Sequence, residues 1–238
     1  MSIAENIERV EERILKACNF AGRKRSEITL MGVTKFIPIG KAEEAFNAGL
    51  RCFGESRVKE AAEKYGSFME ERRGGVQLHM IGSLQRNKAK TAAHFFDCIQ
   101  SVDREELIAE LVKHSQNREP SLGALAVLLE LRTGEDTKSG FTNNDALFRA
   151  AEMVLNSGNL KVQGLMTMAP FTDDEKLIRG SFRQLVKMQS ELERRFPPKE
   201  NWACLSMGMS GDFEIAIEEG STMLRIGSLI FEETGAVG

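Results

Sequence analysis

Lys35 is the residue in this sequence with the clearest chemical potential. It sits near the end of a β-branched and apolar run, Ile28 to Phe36, with Pro38 just beyond, and that pattern predicts a strand. In barrel folds the C-terminal ends of strands meet the variable loops and carry the chemistry. Burial disfavours the charged form of a lysine amine. An amine so activated attacks an aldehyde and forms a Schiff base. Taken alone, the run favours a lysine that snorkels into solvent from a strand end.

The complementary chemistry lies near the other end of the chain. Leu205-Ser-Met-Gly-Met-Ser-Gly-Asp212 and Gly220 to Ser228 concentrate small and hydroxylated residues. Ser206, Gly208, Ser210, Gly227 and Ser228 would let a phosphate approach backbone N–H groups, as barrel loops after the seventh and eighth strands commonly do. Tight turns use the same residues without any ligand. Gly208 to Asp212 is not a nucleophile elbow, because Asp212 stands where G-x-S-x-G requires glycine. A lysine at one strand end and a phosphate cradle at two others describe a pocket for pyridoxal phosphate. Arg225 would then lie beside the pyridine nitrogen, keep it unprotonated and weaken the ring as an electron sink. A salt bridge in the barrel mouth is the alternative for Arg225.

These residues need a scaffold, and the periodicity supplies one. Ile3, Ile7, Val10, Ile14 and Ala17 fall on one face of a helix. Eight apolar runs follow, alternating with helical stretches: Ile28–Phe36, Leu50–Glu55, Val76–Gly82, Phe96–Val102, Leu125–Leu131, Val162–Met168, Trp202–Ser206 and Met223–Ile226. The helices between them are expected over Lys41–Gly49, Arg57–Arg73, Gln85–His94, from Asp103 as N-cap through Lys113, Ala146–Leu155 capped by Asn144, Asp173–Phe196 and Asp212–Glu219. That count predicts one domain over residues 1–238, a (β/α)8 TIM barrel with an extra N-terminal helix. A doubly wound open sheet is the alternative, although no G-x-G-x-x-G turn follows the first strand.

With 238 residues, 42% hydrophobic and 28% charged, the chain has an ordinary globular composition. A net charge of -3 gives no electrostatic case for nucleic acid or an anionic membrane. Glu5, Glu8, Glu11 and Glu12 argue against a signal peptide, and a reduced cytoplasmic setting is expected. Cys18, Cys52, Cys98 and Cys204 lack C-x-x-C spacing, and His79, His94 and His114 lack ligand spacing, so no metal is expected. Arg86, Lys88 and Lys90 read as a solvated helix face, and His79 as a core histidine.

Val33-Thr-Lys35, Phe53-Gly-Glu-Ser-Arg-Val-Lys-Glu60, His79-Met-Ile-Gly-Ser-Leu-Gln-Arg-Asn-Lys88, Gly164-Leu-Met-Thr-Met-Ala-Pro170, Leu205 to Ser210 and Arg225-Ile-Gly227 together resemble the pyridoxal-phosphate homeostasis protein family, over essentially the whole chain. The resemblance implies a barrel like the N-terminal domain of bacterial alanine racemase. It also implies Lys35 as the internal aldimine lysine, Ser206, Gly227 and Ser228 at the phosphate, and Arg225 at the pyridine nitrogen. Ser56 stands where the family usually has asparagine, Gln100 where it has histidine, and Leu131 near another asparagine. All three are expected at the pocket mouth, with Ser56 among the cofactor-binding residues.

Two functions compete. One is a non-catalytic carrier, a monomer that holds pyridoxal 5'-phosphate, with apo enzymes as its expected transient partners. The other is an amino-acid racemase using the same cofactor. Racemisation needs acid–base groups on both faces of the cofactor, and in the racemases a tyrosine from a second domain serves the opposite face. Tyr65, the only tyrosine, falls in the helix after the second strand and is expected far from any strand end. The carrier is the favoured expectation.

Overall fold

Along a strand, alternate side chains face opposite ways, and here that alternation separates a barrel interior from a surrounding helical layer. The computed structural model describes residues 1–72, 75–135 and 139–232. Within them, β1 (Thr29–Val33), β2 (Cys52–Glu55), β3 (Gln77–Met80) and β4 (Cys98–Val102) are followed by β5 (Leu125–Glu130), β6 (Leu160–Met166), β7 (Cys204–Ser206) and β8 (Met223–Ile226). Each strand pairs in parallel with the next, and β8 returns to β1, setting Thr29 opposite Met223 and Gly32 opposite Ile226. The sheet is closed, which excludes the open doubly wound alternative and gives the expected (β/α)8 barrel.

The extra helix α1 (Ile3–Phe20) precedes β1, and it buries Ile3, Ile7, Val10, Ile14 and Ala17 as their spacing predicts. Ser2 and Glu5 close a capping box at its start: the Glu5 N–H donates to Ser2 Oγ at 3.2 Å and the Ser2 N–H to Glu5 Oε2 at 2.7 Å. Between the strands run α2 (Ile39–Asn47), α3 (Val58–Arg72), α4 (Ala89–Phe95), α5 (Glu105–Ser115), α6 (Asn144–Leu155), α7 (Glu175–Arg195) and α8 (Phe213–Glu218). A short α9 (Ser228–Phe231) follows β8 and was not expected. Asn6 Nδ2 donates to Ile230 O at 3.0 Å, tying α1 to α9.

Several boundaries differ from the sequence pattern, each for a local reason. β1 ends at Val33 because Thr34 to Ile37 form a turn, closed by the Ile37 N–H donating to Thr34 O at 2.9 Å. β7 starts at Cys204 because Trp202 lies in a 3-10 turn and is held there by its indole N–H donating to Phe196 O at 2.8 Å. β6 begins and ends two residues before its expected span. The segment before α4 is a 3-10 turn, Arg86–Lys88. Asp103 does not cap α5: Arg104 holds that position without a side-chain cap, and the Asp103 carboxylate accepts from Arg104 instead. Asn143, not Asn144, caps α6, with Oδ1 accepting from the Ala146 N–H at 2.8 Å. The expected last residue of α3, Arg73, lies outside the described residues.

Two groups of buried side chains fill the barrel. Met31, Cys52 and Met223 pack with Ile81 and Cys204, and Cys98, Ala126, Leu128 and Met166 pack with Met168 and Cys204. Their strand neighbours Leu30, Phe53, Leu78, Ile99, Val127, Leu205 and Leu224 join the outer core under the helices. Cys52, Cys98 and Cys204 each open a strand, so closure gathers three thiols distant in sequence at the N-terminal end of the barrel. They are free thiols. Among the described residues, no group of His, Cys, Asp or Glu is placed to hold a metal ion. No helix among them is long and apolar enough to cross a membrane.

Candidate functional site

Lys35 occupies the turn that follows β1, and it is exposed. The expected stripping of water from its amine is therefore not found, because the strand stops two residues earlier and the turn lifts Lys35 above the barrel end. The turn is strained. Phe36 has φ 64°, a left-handed conformation unusual for a bulky residue, and its ring is 72% exposed with the Arg57 guanidinium 5.4 Å from its centroid.

A buried polar cluster holds this strained turn. Lys64, from α3, donates to Thr34 O at 2.7 Å and to Ile37 O at 2.9 Å, the two ends of the turn. It also pairs with Glu55 Oε1 at 2.6 Å, which occupies all three donors of its ammonium group. Thr34 Oγ1 lies 2.7 Å from Glu55 Oε1 and 2.7 Å from the Tyr65 hydroxyl. Two lysines thus meet at one strand end, one committed as a clamp and one reaching solvent. Tyr65 is also relocated. The sequence pattern sets it far from any strand end, yet its hydroxyl meets Thr34 at the end of β1. Its ring is fully buried against Phe53 and Phe68, which leaves it in the helical layer rather than over the mouth.

Closure of the barrel makes β8 the neighbour of β1, so the residues after both strands share one side of the rim. Gly227 is half-buried and Ser228 exposed. A Cβ on Gly227 would stand 3.4 Å from Val33 O, so the two strand ends lie within contact of each other. Ser210 is half-buried in the turn after β7, which the Met209 N–H closes by donating to Asp212 Oδ1 at 2.6 Å. Gly208, just before it, needs its glycine. It has φ 97°, and an added Cβ would come within 2.6 Å of the Ala216 Cβ. Ser56 is half-buried after β2, and its backbone packs so closely on Gly82 that a Cβ there would lie 2.3 Å from Ser56 O.

Below the rim, a chain of polar side chains crosses the barrel. Arg225 Nη1 donates to Ser206 O at 2.7 Å and to Ser206 Oγ at 2.8 Å, and Nη2 to Thr167 O at 2.8 Å. Those guanidinium contacts go to carbonyl and hydroxyl oxygens, not to the salt bridge considered from sequence. Burial draws the Arg225 pKa below its ordinary value, with Asp212 and Glu130 acting against that shift. Ser206 Oγ donates to Gln100 Oε1 at 2.7 Å, and Gln100 Nε2 lies 2.8 Å from His79 Nδ1. Burial takes His79 down to about 4, so its ring is neutral and Nδ1 accepts from Gln100. His79 is the satisfied core histidine expected. The single proton of Ser206 is already given to Gln100, so donation to a phosphate would require the hydroxyl to turn away.

Two of the expected departures at the mouth lie elsewhere. Gln100 sits within the barrel, fully buried between His79 and Ser206. Leu131 belongs to the outer core, because alternation along β5 turns Glu130, not Leu131, inward. Sequence reasoning did not single out Glu130. It is 2% exposed, and its Oε2 is buried without a hydrogen-bond partner among the described residues. A surface cleft beside α1, lined by Ile7, Glu11, Leu15, Arg25 and Gly49, contains none of these residues.

The rim and interior suit pyridoxal phosphate in kind. An aldehyde needs an amine, and Lys35 presents one. A phosphate dianion needs small residues and donors, and Gly227 and Ser228 after β8 and Ser210 after β7 are residues of that kind. A heteroaromatic ring needs polar partners beneath it, and Arg225 and the open oxygen of Glu130 are polar groups on the inner face.

Comparison with known proteins points the same way. The family profile described as "Alanine racemase, N-terminal domain" matches residues 3–234. The chain is 38% identical over 234 residues to the "Pyridoxal phosphate homeostasis protein" of Vibrio cholerae, covering 98% of this chain and 96% of that one. It is 38% identical over 235 residues to the protein of the same name from Aquifex aeolicus, covering 98% and 99%. PipY of Synechococcus elongatus PCC7942, solved with PLP bound, superposes with a TM-score of 0.81 at 27% identity, covering 97% of this chain and 100% of that one.

Proposed function

The chain belongs to the alanine racemase N-terminal domain family, and from that premise we propose that it binds pyridoxal 5'-phosphate in the service of vitamin B6 homeostasis. In this reading it holds the cofactor covalently through the Lys35 amine, without strong catalysis of its own. The observation that carries the reading is the adjacency of β1 and β8, which sets the exposed Lys35 amine and the Gly227–Ser228 rim on neighbouring strand ends. The names of the Vibrio and Aquifex relatives and the bound PLP of PipY support the choice of ligand.

When bound, the cofactor supplies a reactive aldehyde and an electron-accepting ring. The chain's own residues then divide the work. Lys64, Glu55 and Thr34 hold the turn that presents Lys35. Ser210, Gly227 and Ser228, with Ser206 beneath them, take the phosphate. Ser56 edges the mouth after β2, and Arg225 offers a cation beneath the ring that disfavours protonation of its nitrogen. The carrier reading is favoured over a racemase by Tyr65, the chain's only tyrosine, whose hydroxyl is spent on Thr34 inside the helical layer. Racemisation needs a proton-transfer group on each face of the ring. The exposure of Lys35 and Phe36 suits transient handing of the cofactor to apo enzymes. In this reading the chain is a cytoplasmic, monomeric, single-domain carrier.

Reduction by borohydride in the presence of pyridoxal phosphate tests the reading. The phosphopyridoxyl group should be fixed on the peptide that contains Lys35, and Lys35→Ala should abolish the covalent label while leaving weaker binding. Label on Lys64 or elsewhere would reject the assignment.

A further inference from the structure

Glu130 ends β5 on the inner face of the barrel. Ala126 and Leu128, at the same alternation, pack inside with Cys98 and Met166, while Leu125, Val127 and Leu129 join the outer core. Ser139, from the loop after β5, donates to Glu130 Oε1 at 2.9 Å. Oε2 is buried without a hydrogen-bond partner among the described residues. The charges that act on it are Asp103, just beyond the end of β4, and Arg225 of β8. The residue opposite on β6 is Met166. Arg225 donates to Ser206 and Thr167, and Asp103, itself an anion, accepts from Arg104.

A buried carboxyl with one oxygen unmatched is unfavourable as a purely structural element, since a buried acceptor without a donor bears its full desolvation penalty. Burial pushes the carboxyl up to about 7, with Asp103 adding to the shift and Ser139 and Arg225 opposing it. Perturbed carboxyls of this kind concentrate at binding and catalytic sites.

We propose that Glu130 Oε2 is a subsite of the cofactor pocket, accepting a hydrogen bond from an O–H or N–H group of the bound pyridoxal-type ligand and releasing a proton as the pocket fills. The inference rests on the reading of the mouth as a pyridoxal phosphate site. A hydrogen bond accepted by the charged form favours ionisation. The Glu130 O–H bond breaks, its proton passes to solvent buffer, and no other covalent bond changes.

Pyridoxine 5'-phosphate is the suitable probe, because it lacks the aldehyde and so removes the Lys35 reaction from the measurement. Calorimetric titration at pH 7 in two buffers of different ionisation enthalpy gives the protons exchanged on binding. Wild type should release about half a proton more than Glu130→Gln, since a group with a pKa near pH 7 is about half protonated there. The wild-type infrared difference spectrum should also lose a protonated-carboxyl band on ligand addition, a readout that does not depend on the variant folding. Equal proton release in the two proteins, or an unchanged carboxyl band, would overturn the subsite. If neither pyridoxine 5'-phosphate nor pyridoxal 5'-phosphate binds wild type, the pocket itself is wrongly assigned. If both bind but the proton count does not depend on residue 130, only this inference falls.

Discussion

Substituting Lys64 by methionine removes the clamp on the Lys35 turn while keeping most of the side-chain volume. Three contacts disappear: the ion pair to Glu55 at 2.6 Å and the bonds to Thr34 O and Ile37 O. The Glu55 side chain is 1% exposed and that of Lys64 14%, so a carboxylate would be left buried with only the Thr34 hydroxyl. Breaking a buried pair from one side costs about 3–5 kcal/mol. For a chain of this size each kcal/mol moves the midpoint by about 2–4 °C; the thermal midpoint should therefore fall by roughly 6–20 °C. Urea unfolding measures the loss directly. The double variant Glu55→Gln/Lys64→Met should recover a large part of it, because the stranded charge is gone. A Lys64→Met loss below about 1 kcal/mol, the size of an exposed pair, would refute the claim that this contact is dry. Stability alone would not separate clamp from core, so the affinity for pyridoxal phosphate should be measured below the midpoint. The strained Phe36 turn should relax without its two carbonyl contacts, and affinity should fall while the Gly227 rim stays intact.

Two further outcomes concern the interior of the barrel and the loop after β7. His79 titrates near 4 when folded, against an ordinary value of 6.5, so between those values the unfolded chain holds more protons and stability declines as pH falls. The decline should reach roughly 3 kcal/mol by pH 4, and His79→Gln should flatten it. A slope unchanged in the variant would assign the acid sensitivity elsewhere. Gly208→Ala would force a side chain into a left-handed backbone position and against Ala216, a loss of about 1–3 kcal/mol that chemical denaturation would read. An unaltered midpoint would mean that the loop after β7 shifts freely.

The barrel was readable because closed parallel sheets leave a periodic record: apolar runs of strand length, each followed by a helical stripe. The positions of Lys35, Ser210, Gly227 and Ser228 just beyond strand ends were readable for a related reason, since each closes or follows one of those apolar runs. Glu130 was hidden inside an apolar run, Leu125 to Leu131, whose periodicity looks continuous. Its signal was there in the parity it shares with Ala126 and Leu128, but parity acquires a direction only once the barrel closes. The network of Thr34, Glu55, Lys64 and Tyr65 joins side chains from β2, α3 and the turn after β1, and no spacing rule links them. The thiols of Cys52, Cys98 and Cys204 were likewise invisible as a group, because only the closed sheet puts the first residues of β2, β4 and β7 at one level. Lys35 was expected dry and is exposed, since the strand ends three residues before Phe36, at the Thr34 turn.

The file of polar groups from His79 through Gln100 and Ser206 to Arg225 has a consequence for how such a chain can change. Each member donates to or accepts from the next, and the four sit on β3, β4, β7 and β8. Replacing any one by a residue of different hydrogen-bonding sense strands its neighbour, on the adjoining strand for His79–Gln100 and Ser206–Arg225 and three strands away for Gln100–Ser206. Drift at these positions should therefore proceed in concerted steps, with compensating exchanges on opposite walls of the cylinder, while the rim above remains free to vary one residue at a time.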